Sequence, residues 1–155
     1  TPLLAEISNL PEVWQQKILI VEDTNALLEM LEMIFHRDYI TASAKNGRHG
    51  LEKLRESYFD VIISDIEMPE MNGIEFFQEA IKRDPSLASR FLFFSGYLSG
   101  PHRSVVEKHN LPFLQKPASV MDLRQKVKDI LANNRQSSQE SDISATLARR
   151  TFSKS

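Results

Sequence analysis

Three short stretches of this chain, Ile18 to Val21, Val61 to Ile63 and Phe91 to Phe94, are apolar at every position and show no alternation. A strand with one wet face alternates polar and apolar side chains, whereas a strand covered on both faces does not. Runs this short are strand-sized rather than helix-sized, so they predict the central strands of a sheet with helices packed on either side. Tyr39 to Ser43 and Pro112 to Leu114 are two weaker strand candidates.

Helical spacing fills the gaps between them. Leu27, Leu28, Leu31, Ile34 and Phe35 form one apolar stripe, with Thr24 or Asn25 available as N-cap. Leu51 and Leu54 anchor a second helix introduced by Asn46 and Gly47, and Ile74, Phe77 and Ile81 mark a third. Val105, Val106 and His109 give the weakest pattern, a short fourth helix. The fifth is capped by Ser119, with Asp122 three residues on and an apolar face of Val120, Leu123, Val127, Ile130 and Leu131. Five β-α units between residues 17 and 133 imply right-handed crossovers and a doubly wound α/β domain with a parallel sheet. Residues 1–16 read as an N-terminal extension in which Leu10, Val13 and Trp14 are available for packing. Residues 134–155 hold six serines and two glutamines, and so few large apolar groups that a polar linker or disordered tail is expected. Arg149 and Arg150 within it read as solvated charge.

Bulk properties exclude several function classes. The formal net charge of −2 supplies no basic excess for nucleic acid or an anionic membrane. The absence of cysteine removes disulfides, thiolate catalysis and Cys-ligated zinc. No apolar run approaches a membrane span, so a cytoplasmic protein is expected. A start at Thr1 rather than Met is expected of a processed or excised chain.

Sites in open parallel sheets form at the carboxyl ends of the strands. There the sequence places Glu22 and Asp23 after the first strand, Asp65 after the third, Ser95 at the end of the fourth and Lys116 after the fifth. Like charges at about 4 Å cost ~1 kcal/mol in water and ~4 kcal/mol at an effective dielectric near 20. Three carboxylates together therefore call for a cation or a raised pKa. Oxygen-only donors favour Mg2+, a carboxylate can act as a phosphoryl-accepting nucleophile, and lysine and serine can contact phosphate oxygens.

With these residues in view, the chain resembles the receiver domains of two-component response regulators, the CheY-like superfamily. The matching motifs are Ile18-Leu-Ile-Val-Glu-Asp23, Ser64-Asp-Ile-Glu-Met-Pro-Glu-Met-Asn-Gly73, Ser95-Gly96 and Leu114-Gln-Lys-Pro117, spread over residues 16–133. Each motif is weak alone; four in order, each after an expected strand, are specific. The resemblance implies a flavodoxin-like fold with strand order 2-1-3-4-5. It implies Asp65 as phosphoacceptor and Mg2+ held by Glu22, Asp23, Asp65 and the backbone carbonyl of Glu67. Ser95 and Lys116 would contact the phosphoryl group, Phe113 would be the aromatic switch, and the Lys116-Pro117 bond would be cis. The implied partner is a sensor histidine kinase or phosphotransfer protein, with an effector or output domain outside this chain and no direct nucleic-acid or membrane contact. Families of this kind often dimerise on phosphorylation, and their chemistry is Mg2+-dependent self-phosphorylation and autodephosphorylation rather than turnover of a separate substrate.

Departures from the family pattern are mild. Glu22 stands for the commoner Asp, Ser95 for Thr, and Phe113 lacks a tyrosine hydroxyl; Glu67 adds charge near the site, and Gly96 and Gly100 suggest a loose segment from Ser95 to Pro101. Taken singly, each residue has a plainer reading. The acidic pair could favour a helix N-terminus, Asp65 could serve a turn, Lys116 could be solvated, and Phe113 could be core. Only their coincidence at one sheet edge outweighs this. His36, His49, His102 and His109 lack metal-ligand spacing and read as surface or packing residues. Two rival functions stand beside the phosphoacceptor: an aspartate-nucleophile phosphohydrolase, suggested by Asp65-Ile-Glu67, and a receiver-like module used only for docking. The hydrolase reading lacks the second Asp, the following Thr and a cap insertion.

Overall fold

The computed structural model describes residues 15–135. The expected N-terminal extension up to residue 14, and the tail from residue 136 onward, lie outside the described residues.

Five strands form: β1 (Lys17–Val21), β2 (Ile40–Ala44), β3 (Val61–Ser64), β4 (Phe91–Ser95) and β5 (Phe113–Gln115). All pair in parallel, in the order β2-β1-β3-β4-β5. The helices are α1 (Asn25–Phe35), α2 (Gly47–Glu56), α3 (Gly73–Arg83), α4 (Gly100–Lys108) and α5, which begins at residue 120 and is described through residue 135. A six-residue 3-10 turn, Pro85–Arg90, leads into β4.

Strand alternation divides the core between two faces. Ile18, Ile20, Val61, Ile63, Leu92 and Phe94 pack under α1 and α5 with Leu28, Leu31, Leu123 and Val127. Leu19, Val21, Ile62, Phe91 and Phe93 pack under the other helices with Leu51, Phe76, Phe77 and Val106. Every residue of β3 and β4 is buried, which is why those strands carry no polar position before their final serines. Phe77 sits at the centre of the second face, edge-on to Phe91 at 5.1 Å and to Phe93 at 6.0 Å between ring centroids.

Local chemistry sets where the helices start. Thr24 is the N-cap of α1, without a side-chain cap bond. Asn46 accepts from the His49 N–H to open α2, and the Ser119 hydroxyl accepts from the Asp122 N–H to open α5. At α3 the Asn72 side chain accepts from the Glu75 N–H while the Glu75 carboxylate accepts from the Asn72 N–H, a reciprocal capping box. The fourth helix begins earlier than its apolar pattern suggested. Gly100 and Pro101 form its first turn, Pro at a position where no N–H is required. Within the segment from Ser95 to Pro101 expected to be loose, only residues 96–99 lie outside a strand or helix. His109, counted with that helix on its spacing, is its C-cap instead. The last helix continues to residue 135, and the Asn134 side chain donates to the Ser89 carbonyl at 3.2 Å.

One glycine is dictated by a close approach. The Gly73 N–H donates to the Ile66 carbonyl at 2.8 Å, and a Cβ on Gly73 would fall onto the carbonyl oxygen of Asp65. The start of α3 is thereby pressed against the backbone that carries Asp65. Gly73→Ala is expected to lower stability by ~1–3 kcal/mol in urea unfolding, through steric displacement of that backbone; an unchanged midpoint would show that the loop yields without cost.

Candidate functional site

Parallel pairing brings all five strand ends to one edge, and register decides which residues meet there. Val21 pairs with Ser64, Ser64 with Phe93, and Ser95 with Gln115. The next residues along β1, β3 and β5 are Glu22, Asp65 and Lys116, so three separate strands deliver them to neighbouring places. Carboxylate oxygens of Glu22, Asp23 and Asp65 all lie within 4.8 Å of one another. Glu22 and Asp65 are buried and Asp23 is exposed. Lys116 reaches over them, its Nζ 3.1 Å from Asp65 Oδ2 and 3.4 Å from Glu22 Oε2. The same ammonium lies 5.4 Å from the centre of the Phe94 ring, within the range of a cation–π attraction.

Asp65 is held from both sides. Its Oδ1 accepts from the Ile66 N–H at 2.7 Å, and the Ser64 hydroxyl donates to its backbone carbonyl at 2.8 Å. The β5 end is tied to β4 by the Lys116 N–H to the Ser95 carbonyl at 2.9 Å, and by the Gln115 side chain to the Gly96 carbonyl at 3.3 Å. The Lys116-Pro117 peptide is cis, as the resemblance implied.

Ser95 is fully buried, and its Oγ has no hydrogen-bond partner among the described residues. An unmet buried hydroxyl costs ~1–3 kcal/mol, so a group that supplies an acceptor there would be stabilised by it. Alternation puts Ser95 on the side of the sheet that Phe91 and Phe93 face. Phe113 is half-buried and packs against that same core.

The charges do not balance. One lysine faces three carboxylates, and burial raises the Glu22 carboxyl from its usual 4.5 to about 7. Desolvation is the largest cause and the neighbouring Asp65 charge the next, while Lys116 and the Thr24 N–H partly oppose them. An oxygen-only cluster short of positive charge suits a hard divalent cation such as Mg2+, which binds through one or two carboxylates and keeps several waters.

The structure brings Glu22, Asp23, Asp65 and Lys116 together and places Ser95 and Phe113 on the adjoining β4 and β5. Glu67 is exposed and its carboxylate lies outside the acidic cluster among the described residues; the atom expected to bind metal is its backbone carbonyl. The histidines also stay out of that cluster: His36 Nδ1 lies 3.1 Å from the Met33 carbonyl, and His109 packs edge-on to Phe77 at 5.1 Å. Sequence reasoning missed the Ile66 N–H, which no side-chain motif announces, and the role of Gly73. The Asn72-x-x-Glu75 pattern was a readable signal for the latter, since it fixes where α3 starts.

Comparison with known proteins agrees with this geometry. The family model of the response regulator receiver domain matches residues 18–128. The chain is 33% identical over 136 residues to the transcriptional regulatory protein ZraR of Klebsiella oxytoca, covering 86% of this chain and 30% of that protein. It is 32% identical over 118 residues to the sensor kinase CckA of Brucella abortus, covering 74% of this chain and 12% of the kinase. The chain thus spans less than a third of either relative. A CheY-like receiver domain protein from Methanospirillum hungatei superimposes with a TM-score of 0.74 at 26% identity, covering 79% of this chain and 98% of that one. The chain belongs to the response regulator receiver domain family, a family of signalling domains that bind Mg2+ at such an acidic cluster. No helix among the described residues is long and apolar enough to cross a membrane.

The raised Glu22 pKa has a definite sign. Between pH 4.5 and about 7 the folded protein keeps a proton that the unfolded chain has already released. Stability from this group therefore falls as pH rises through that window. In EDTA, thermal melts should show a downward slope there that Glu22→Gln lacks, and added Mg2+ should restore the wild-type midpoint near neutral pH. Identical slopes in wild type and Glu22→Gln would rule out Glu22 as the titrating group.

Proposed function

We propose that the domain is the phosphoacceptor of a two-component phosphorelay, with Asp65 as the residue that carries the phosphoryl group. The observation that carries this reading is the Asp65 carboxylate itself: buried, held at Oδ1 by the Ile66 N–H, and touched at Oδ2 by the Lys116 ammonium. A carboxylate in that position is oriented for attack and has a cation beside the charge that develops. Glu22, Asp23, Asp65 and the Glu67 carbonyl would hold Mg2+, which supplies charge neutralisation for phosphoryl oxygens.

In the transfer, an Asp65 oxygen forms a bond to phosphorus as the phosphorus–nitrogen bond of a phosphohistidine breaks; the imidazole keeps the bonding pair and takes up a proton. The donor is a sensor histidine kinase or a phosphotransfer protein. The new acyl phosphate presents acceptor oxygens to Lys116 and to the unmet hydroxyl of Ser95. Movement of Ser95 opens space on the side where Phe113 packs, and a rotation of that ring alters the face of α4, β5 and α5. The phosphoryl group thereby biases a two-state surface. That surface would meet an effector, an output domain outside this chain or a second copy. The only chemistry is self-phosphorylation and loss of the same group, in the cytoplasm where such kinases present their phosphohistidine.

Incubation with acetyl phosphate and Mg2+, followed by intact-mass measurement, tests this reading. One added phosphoryl group is expected, absent in Asp65→Asn and absent without the metal. No adduct, together with no beryllofluoride-induced change and no Mg2+ binding, would leave a module used only for docking. Steady turnover of a phosphomonoester would indicate the hydrolase instead.

A further inference from the structure

The edge of the sheet opposite Asp65 carries two adjoining cavities that the phosphoryl chemistry does not use. The larger, about 220 Å³, lies between the C-terminal ends of α2 and α3 and the 3-10 turn. Its floor includes Leu51, Phe59 and Leu87, and Arg55, Arg83 and Arg90 stand around it. The smaller, about 180 Å³, shares Tyr58 and Arg90 with the first and extends to Gln16 and Arg135. At the junction the Arg90 guanidinium sits 4.5 Å from the centre of the Tyr58 ring, and Tyr58 is 61% exposed.

The charge around these cavities is net positive. Four arginines line them, and none of the four is in an ion pair among the described residues. Two carboxylates also line them, Asp60 accepting from the Lys17 N–H at 2.8 Å and Asp84 from the Ser86 N–H and hydroxyl, so four arginines stand against two aspartates. An occupant should therefore be apolar with negative charge.

We propose that residues 3–14 of this same chain dock across the two cavities. Three observations converge on that occupant. The first is the point of entry: Gln16 lines the smaller cavity, and its carbonyl is fixed by the Ile40 N–H at 3.0 Å, so the preceding chain emerges there. At most ~3.6 Å per residue, two residues of chain can span no more than ~7 Å, so a segment leaving Gln16 starts beside the smaller cavity. The second is charge: residues 1–16 contain Glu6 and Glu12 and no lysine or arginine. The third is apolar content, since Leu3, Leu4, Ile7, Leu10, Val13 and Trp14 supply side chains of the kind the cavity floor accommodates. A tethered segment needs only weak contacts to dock, because its effective concentration beside the cavities is high.

Trp14 is the chain's single tryptophan, so its emission reports on this segment alone. In the chain of residues 1–155 it is expected to be blue-shifted and shielded from acrylamide, with the shielding reduced by salt. Arg55→Glu with Arg83→Glu, both on exposed positions, should shift the emission toward that of tryptophan in water and raise quenching. Glu6→Lys with Glu12→Lys, which leaves residues 15–135 untouched, should do the same, and all four changes together should restore the shielded signal. Water-like emission in the wild type, or shielding indifferent to both charge reversals, would overturn the proposal. Shielding that disappears on dilution would overturn it too, by placing the segment on a second copy.

Discussion

Burial of the central strands on both faces is the constraint from which the rest follows. With α1 and α5 on one side and α2, α3 and α4 on the other, β1, β3 and β4 have no place for a polar side chain until their ends. Polar chemistry is therefore driven to the rim, and parallel pairing gathers that rim at one edge. Glu22, Asp65 and Lys116 are neighbours because Val21, Ser64 and Gln115 are the last residues that the ladder can hold.

That rim is not at electrostatic rest. Burial raises the Glu22 carboxyl, a single lysine faces three carboxylates, and the Ser95 hydroxyl has no partner. Each of these costs stability in the domain alone; a divalent cation would relieve the crowded carboxylates, and an added acceptor oxygen would relieve the Ser95 hydroxyl. The cost is sustained by the packing beneath: Phe76, Phe77, Phe91 and Phe93 are each fully buried, and burying one such side chain contributes ~1.5–3 kcal/mol. A core of this kind tolerates a strained edge, and on such an edge the proposed covalent modification would favour a different arrangement.

Most of this was legible in the sequence because the signals are local and physical. Continuous apolar runs located β1, β3 and β4, and every strand end fell within one residue of the expected place. Ser119 and Asn46 announced their helices by their capping chemistry. Misreadings arose where local signals competed. Gly96 and Gly100 looked like one loose segment, yet Gly100 precedes a proline whose fixed φ suits a first helical turn. What the sequence could not announce were contacts made by backbone, above all the Ile66 N–H on Asp65 and the approach of Gly73 to the Asp65 carbonyl. No residue type requires the first, and the second is visible only once α3 lies across the end of β3.

These backbone contacts constrain how the proposed switch would work. With Oδ1 bound to Ile66 and the following helix pressed against the Asp65 carbonyl, the proposed acceptor has little freedom to move. Lys116 is likewise anchored, since its own N–H is tied to Ser95. The adjustable parts are those without such ties: the Ser95 hydroxyl, the exposed Tyr97 side chain and the half-buried Phe113 ring. All lie on the β4–β5 side, and Ser95 and Phe113 share the sheet face that α4 covers. In the proposed switch, a change at Asp65 would be confined by these contacts on the β1–β3 side and released on the other, giving the response a direction without any dedicated pathway between the two.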